Sequence, residues 1–82
     1  MISKNSLYID KALDYDWWEG VNEYDEIINN ETLSLVQKVT LLLKAVGWYY
    51  VNVWEDQDKI HYIVGHTYDY KDFVEAIEEM EK

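Results

Sequence analysis

The stretch ETLSLVQKVTLLLKAVG, residues 31–47, constrains the fold more than any other part of the chain. Leu35, Val36, Val39, Leu42, Leu43 and Val46 recur at i, i+1, i+4, i+7, i+8 and i+11, one face of an α-helix. Leu33 and Leu41 widen the stripe, so burial on more than one side is expected. Asn30 or Thr32 is placed to cap the start, and Gly47 sits where a helix C′ residue belongs. The spacing predicts a core helix over 31–46.

A helix with so wide an apolar stripe needs another layer against it. WYYVNVW (48–54) and IHYIVGH (60–66) supply one, since both are rich in β-branched and aromatic residues. The charged EDQDK (55–59) between them reads as the five-residue loop of an antiparallel hairpin. With Trp54 opposite Ile60, Trp48, Tyr50, Asn52, Trp54, Ile60, Tyr62 and Val64 share one face. Tyr49, Val51, Val53, His61 and Ile63 then share the other. A slip of one residue in either strand would reshuffle these sets.

Near the end, Tyr70, Phe73, Val74, Ile77 and Met80 recur at helical spacing. They predict a helix over 70–81, capped by Thr67 or Asp69, with Asp72, Glu75, Glu78, Glu79 and Glu81 on its outer face. In the first thirty residues, Trp17, Val21, Tyr24 and Ile28 form a weaker stripe, and Asp16 with Glu19 fits a capping box. A helix over 17–29 is expected there. Residues 5–16 fit a strand or a short helix, because SLYID suits either and LDYDW alternates as a strand does. No repeat, low-complexity tract or linker divides the 82 residues, so residues 1–82 read as a single domain. The fold class is α+β: a two- or three-stranded antiparallel sheet packed with two or three helices.

Leu, Ile, Val and Phe make up 23 of the 82 residues, enough for a folded core despite a formal charge of -10. The chain has neither Arg, Pro nor Cys. Without thiols there is no disulfide frame and the redox compartment is unconstrained; a reducing cytosol fits, and a cytoplasmic location is the expectation. No apolar run of signal-peptide or membrane-span length appears. Seven Lys against 17 acids argue against nucleic acid or an anionic membrane as a direct partner. The acid is concentrated at the two ends, around a nearly neutral stretch at 31–47.

No catalytic residue is assigned. Asp14 and Asp16 form a carboxylate pair, but acid–base chemistry needs a cleft to shift their pKa values. His61 and His66 lack metal-ligand spacing, and DQD at 56–58 lacks the Gly and bidentate Glu of a calcium loop. Neither a metal nor any other cofactor is expected.

What remains is the acid itself. Carboxylates at i, i+3 or i+4 and i+7 on a helix stand about 5–6 Å apart, near the spacing of phosphates along a nucleic-acid strand. Glu19, Glu23 and Glu26 form one such row, and Asp72, Glu75 and Glu79 form another. Trp17 and Trp18 are adjacent, so one is buried while the other is presented. Trp18 falls among Asp14, Asp16, Glu19 and Asp25, the setting of an interface anchor. These residues are the expected partner-binding set. The leading functional expectation is a non-enzymatic inhibitor that mimics nucleic acid and binds a basic nucleic-acid-handling protein. Phage counter-defence proteins against CRISPR effectors or other nucleases, and immunity proteins for nuclease toxins, are of this physical type. The alternative is a structural or regulatory module that dimerises or scaffolds through its aromatic hairpin.

Overall fold

The structure, a computed structural model, describes residues 1–13 and 22–80. Three strands, β1 (Ser3–Tyr8), β2 (Tyr50–Asp56) and β3 (Lys59–Gly65), form one antiparallel sheet in the order β1-β3-β2. Three helices complete the fold: α1 (Asn22–Ile28), α2 (Leu35–Ala45) and α3 (Tyr70–Met80). The α+β expectation holds, with three strands and three helices.

Helix α2 begins later than residue 31 because Ser34, not Asn30 or Thr32, caps it. The Ser34 hydroxyl accepts from the Gln37 N–H, and the Gln37 side chain accepts from the Ser34 N–H at 2.8 Å. The Asn30 side chain is engaged in a local turn, where its oxygen accepts from the Thr32 N–H and hydroxyl. At the other end the Gly47 N–H donates to the Lys44 carbonyl and the Trp48 N–H to the Leu43 carbonyl. Gly47 takes a φ of 117°, as this double closure requires of a C′ residue. Trp48 is thus part of the helix stop, and the strand starts at Tyr50 rather than at 48.

The hairpin is tighter than the sequence suggested. Glu55, Asp56 and Lys59 lie in the strands, Asp56 pairs with Lys59, and only Gln57 and Asp58 form the turn. Trp54 therefore faces His61 instead of Ile60, a one-residue slip from the expected register. Val51, Val53, Ile60, Tyr62 and Val64 share one face; Tyr50, Asn52, Trp54, His61 and Ile63 share the other. The cause is that helices cover both faces. Val39, Leu42 and Leu43 of α2 pack with Ile60, Tyr62 and Val64, joined by Tyr24, Ile27 and Ile28 of α1. On the opposite face Phe73 of α3 stacks on Tyr50 at 5.4 Å, near buried Ile63 and Ala76. β3 is consequently buried along almost its whole length.

Residues 5–16 were expected as strand or short helix. Ser3–Tyr8 is the strand that makes the sheet three-stranded, and a single 3-10 turn follows at Ile9–Lys11. Of the helix expected over 17–29, the described part is Asn22–Ile28; residues 17–21, including Trp17, lie outside the described residues. The Lys38 ammonium donates to the Ile28 carbonyl at 2.8 Å, tying the end of α1 to α2.

Candidate partner-binding surface

Helix α3 turns an apolar flank to the sheet and a polar flank outward. Ala76 is buried and Phe73 and Ile77 are half-buried, whereas Asp72, Glu75, Glu78 and Glu79 are all exposed. Among the described residues no ion pair engages Asp72, Glu75 or Glu79. They stand at i, i+3 and i+7, a line of about 10 Å along the helix axis. Tyr70 lies on the opposite flank, with its ring 5.7 Å from that of Tyr50.

Asp69 fixes the start of this helix. It was expected as a possible cap, and its carboxylate does close the turn: Oδ2 accepts from the His66 N–H at 2.9 Å, ending β3. Oδ1 accepts from the Met1 ammonium at 2.6 Å. The side chain is only 4% exposed, so these two donors replace water. The bond from the Met1 ammonium, reinforced by that from His66, holds the Asp69 carboxyl below the usual aspartate value, and outweighs desolvation, which acts upward. Gly65 permits the approach, because a Cβ there would stand 3.1 Å from the Asp69 Cβ and 3.3 Å from Ile2 Cγ2. Asp69 is thus a structural acid, distinct from the exposed ones that follow it. The other candidate cap, Thr67, makes no such bond; the segment Thr67–Asp69 is a 3-10 turn opened by His66.

The N-terminal group is only partly described. Asp14, Asp16, Trp18 and Glu19 lie outside the described residues, and so does the question of which tryptophan is presented. Glu23 belongs to α1 by its backbone. Asp25 is half-buried and engaged, and Glu26 is exposed. Helix α1 packs with α2 on the Val51–Val64 face and α3 packs on the Tyr50–Ile63 face. Of the first expected row, Glu26 and the backbone of Glu23 therefore stand on the layer opposite Asp72, Glu75 and Glu79, and Glu19 lies outside the described residues.

One grouping escaped the sequence reading. Among the described residues helix α3 covers only part of its sheet face, and a concavity of about 490 Å³ is lined by Lys4, Ser6, Trp54, His61 and Met80. Trp54 and His61 stack there, and His61 Nε2 lies 3.9 Å from Asp56 Oδ2. Only the correct register reveals this grouping, since the expected one separated Trp54 from His61. The other histidine, His66, stacks on Trp48 at 4.7 Å. Among the described residues no group of three His, Cys, Asp or Glu is poised for a metal ion, and no helix is long and apolar enough to cross a membrane. No family model matches the chain, and no curated protein or solved structure is detectably similar to it.

Proposed function

We propose that this chain is a non-enzymatic acidic inhibitor that acts in the cytoplasm by occupying the cationic groove of a nucleic-acid-handling protein, a nuclease or CRISPR-type effector. The observation that carries the reading is the row Asp72, Glu75 and Glu79: three exposed carboxylates without ion-pair partners among the described residues, along one flank of a helix fixed at its start by Asp69 and packed on the sheet through Phe73. A groove built for phosphates presents Lys and Arg at similar intervals, and a pre-ordered row meets them without ordering cost. The net charge of -10 draws such a partner from a distance.

The test is binding of basic nucleases and effectors to the purified chain at increasing ionic strength, with duplex DNA as competitor. Affinity falls with salt, and DNA displaces the chain. Tight, direct binding of nucleic acid by the chain itself would overturn the reading, as would partner binding indifferent to salt.

The hairpin favours a second reading, a structural or regulatory module that dimerises or scaffolds. Its support is the stretch of sheet around Trp54 and His61 left open among the described residues, together with β2 at the edge of the sheet.

A further inference from the structure

β2 is an edge strand, so one row of its backbone N–H and C=O groups bonds to β3 and the other row points away. Among the described residues no backbone hydrogen bond reaches that outer row. Such an edge is a template for another strand unless something blunts it. Among the described residues the central part of β2 lacks the usual guards. The chain has no proline, the β2–β3 register runs without a bulge from Tyr50 to Asp56, and the central residues Val51, Asn52, Val53 and Trp54 carry no charge. The opposite edge, β1, does carry a guard in exposed Lys4.

What lies beside this edge narrows the occupant. Helix α2 packs over β2. Its α1 side is marked by Lys38, which reaches the Ile28 carbonyl. Roughly half a turn away around the helix are Val36 and Thr40, which with Leu33, Gln37 and Leu41 line an apolar groove. Leu41 is 40% exposed. Residues 35–45 contain two Lys and no acid. On the other layer, Asp72 and Glu79 sit across α3 from Tyr70, and Tyr70 is on the β2 side because it meets Tyr50. The α3 carboxylates thus point away from the β2 edge. In a chain of charge -10, the acids of β2 are confined to Glu55 and Asp56 at one end, so a second, equally acidic copy meets no carboxylate of that strand along Tyr50–Trp54.

We infer that β2 pairs antiparallel with β2 of a second copy about a two-fold axis perpendicular to the sheet, forming a six-stranded sheet with the two α2 helices side by side in one layer. A two-fold of this kind keeps like faces together, so the apolar groove of each α2 is covered by the other. Centred near Asn52 and Val53, it sets Glu55 and Asp56 of one copy beside residues 49–51 of the other, and the two acidic pairs stand at opposite ends of the junction. The inference deepens the second functional reading and does not depend on the acidic row.

The experiment is sedimentation velocity on the 82-residue chain over a range of concentrations at low and high salt, with amide hydrogen exchange on the same samples. The expected result is a dimer that strengthens with salt, the reverse of the salt dependence of a mimicry complex. Alternate amides of Tyr50–Asp56, those outside the β3 ladder, gain protection as concentration rises. The variant Thr40→Glu weakens the dimer at least about tenfold, with the folded circular-dichroism spectrum retained. A monomer at every concentration overturns both the inference and self-association through the hairpin. A dimer whose β2 amides exchange independently of concentration overturns this pairing alone and leaves the Trp54–His61 face as the junction.

Discussion

Trp54 and His61 stand directly opposite each other in the hairpin, with ring centroids 5.5 Å apart and planes 20° from parallel. That pairing fixes every other residue of the two strands. It sends Ile60 toward α2 and Ile63 toward α3, and both are fully buried. Ile60→Ala and Ile63→Ala are each expected to destabilise the fold by about 2–4 kcal/mol, because each leaves a cavity under a helix. Trp54→Ala removes a half-exposed cross-strand partner and costs less, about 1 kcal/mol. Urea melts of the three variants test the register. If either isoleucine proves as tolerant as Trp54, one face of β3 is not covered.

The same two-sided burial explains what the sequence could and could not convey. α2 was legible because Leu35, Val39, Leu42 and Leu43 recur at helical spacing and pack into one core, so the stripe could be read directly. β3 sits between two layers, and IHYIV has apolar residues on both faces, so alternation could not select a register. The charges of EDQDK suggested a loop, yet three of those residues are strand ends: Glu55 and Asp56 stay exposed, and half-buried Lys59 lies over the Tyr8 ring. β1 was obscured for a different reason: SKNSLY is mostly polar, and its strand exists because β3 offers it an edge. Glu81 lies outside the described residues, and Asp72, Glu75, Glu78 and Glu79 were placed correctly by helical spacing. Their separation from Glu26 of α1 was not legible, since it depends on which face of the sheet each helix covers.

The tight turn has a cost that a substitution should remove. Gln57 is the first turn residue and adopts a φ of 57°, where a Cβ crowds the backbone. Gln57→Gly is expected to raise stability by about 1 kcal/mol, since glycine takes this conformation freely. A thermal melt with an unchanged or lower midpoint would mean that the turn relaxes some other way.

Asp69 makes the fold sensitive to acid. Its pKa is lowered in the folded state, so its bonds to the Met1 ammonium and the His66 N–H contribute fully above the ordinary aspartate value, about 4. That contribution fades as the pH falls through the depressed folded value. Asp69→Asn should melt below wild type at neutral pH, and the gap should close on acidification. A gap independent of pH would assign the loss to packing instead.

Gly65 tests the same junction by sterics. With the Asp69 Cβ 3.1 Å and Ile2 Cγ2 3.3 Å from the added methyl, Gly65→Ala should cost about 1–3 kcal/mol. It should also speed exchange of the His66 amide by loosening its bond to Asp69. A variant as stable as wild type would show that β1 and the 3-10 turn shift apart freely.

Because α1 and α3 lie on opposite layers, one groove cannot clasp Glu26 and the α3 row at once. Mimicry therefore makes an asymmetric prediction. Reversing the α3 row with Asp72→Lys, Glu75→Lys and Glu79→Lys should leave the melt almost unchanged, since all three side chains are exposed and none is in an ion pair among the described residues. It should slow association with a cationic partner at least about tenfold at low salt, because steering scales with the charge facing the groove. Glu26→Lys, on the far layer, should change association far less, through net charge alone. Stopped-flow association rates at two ionic strengths separate the cases, since the α3 effect should shrink with screening. Equal loss per charge from both layers would mean that the partner responds to total charge and that no row on α3 is being read.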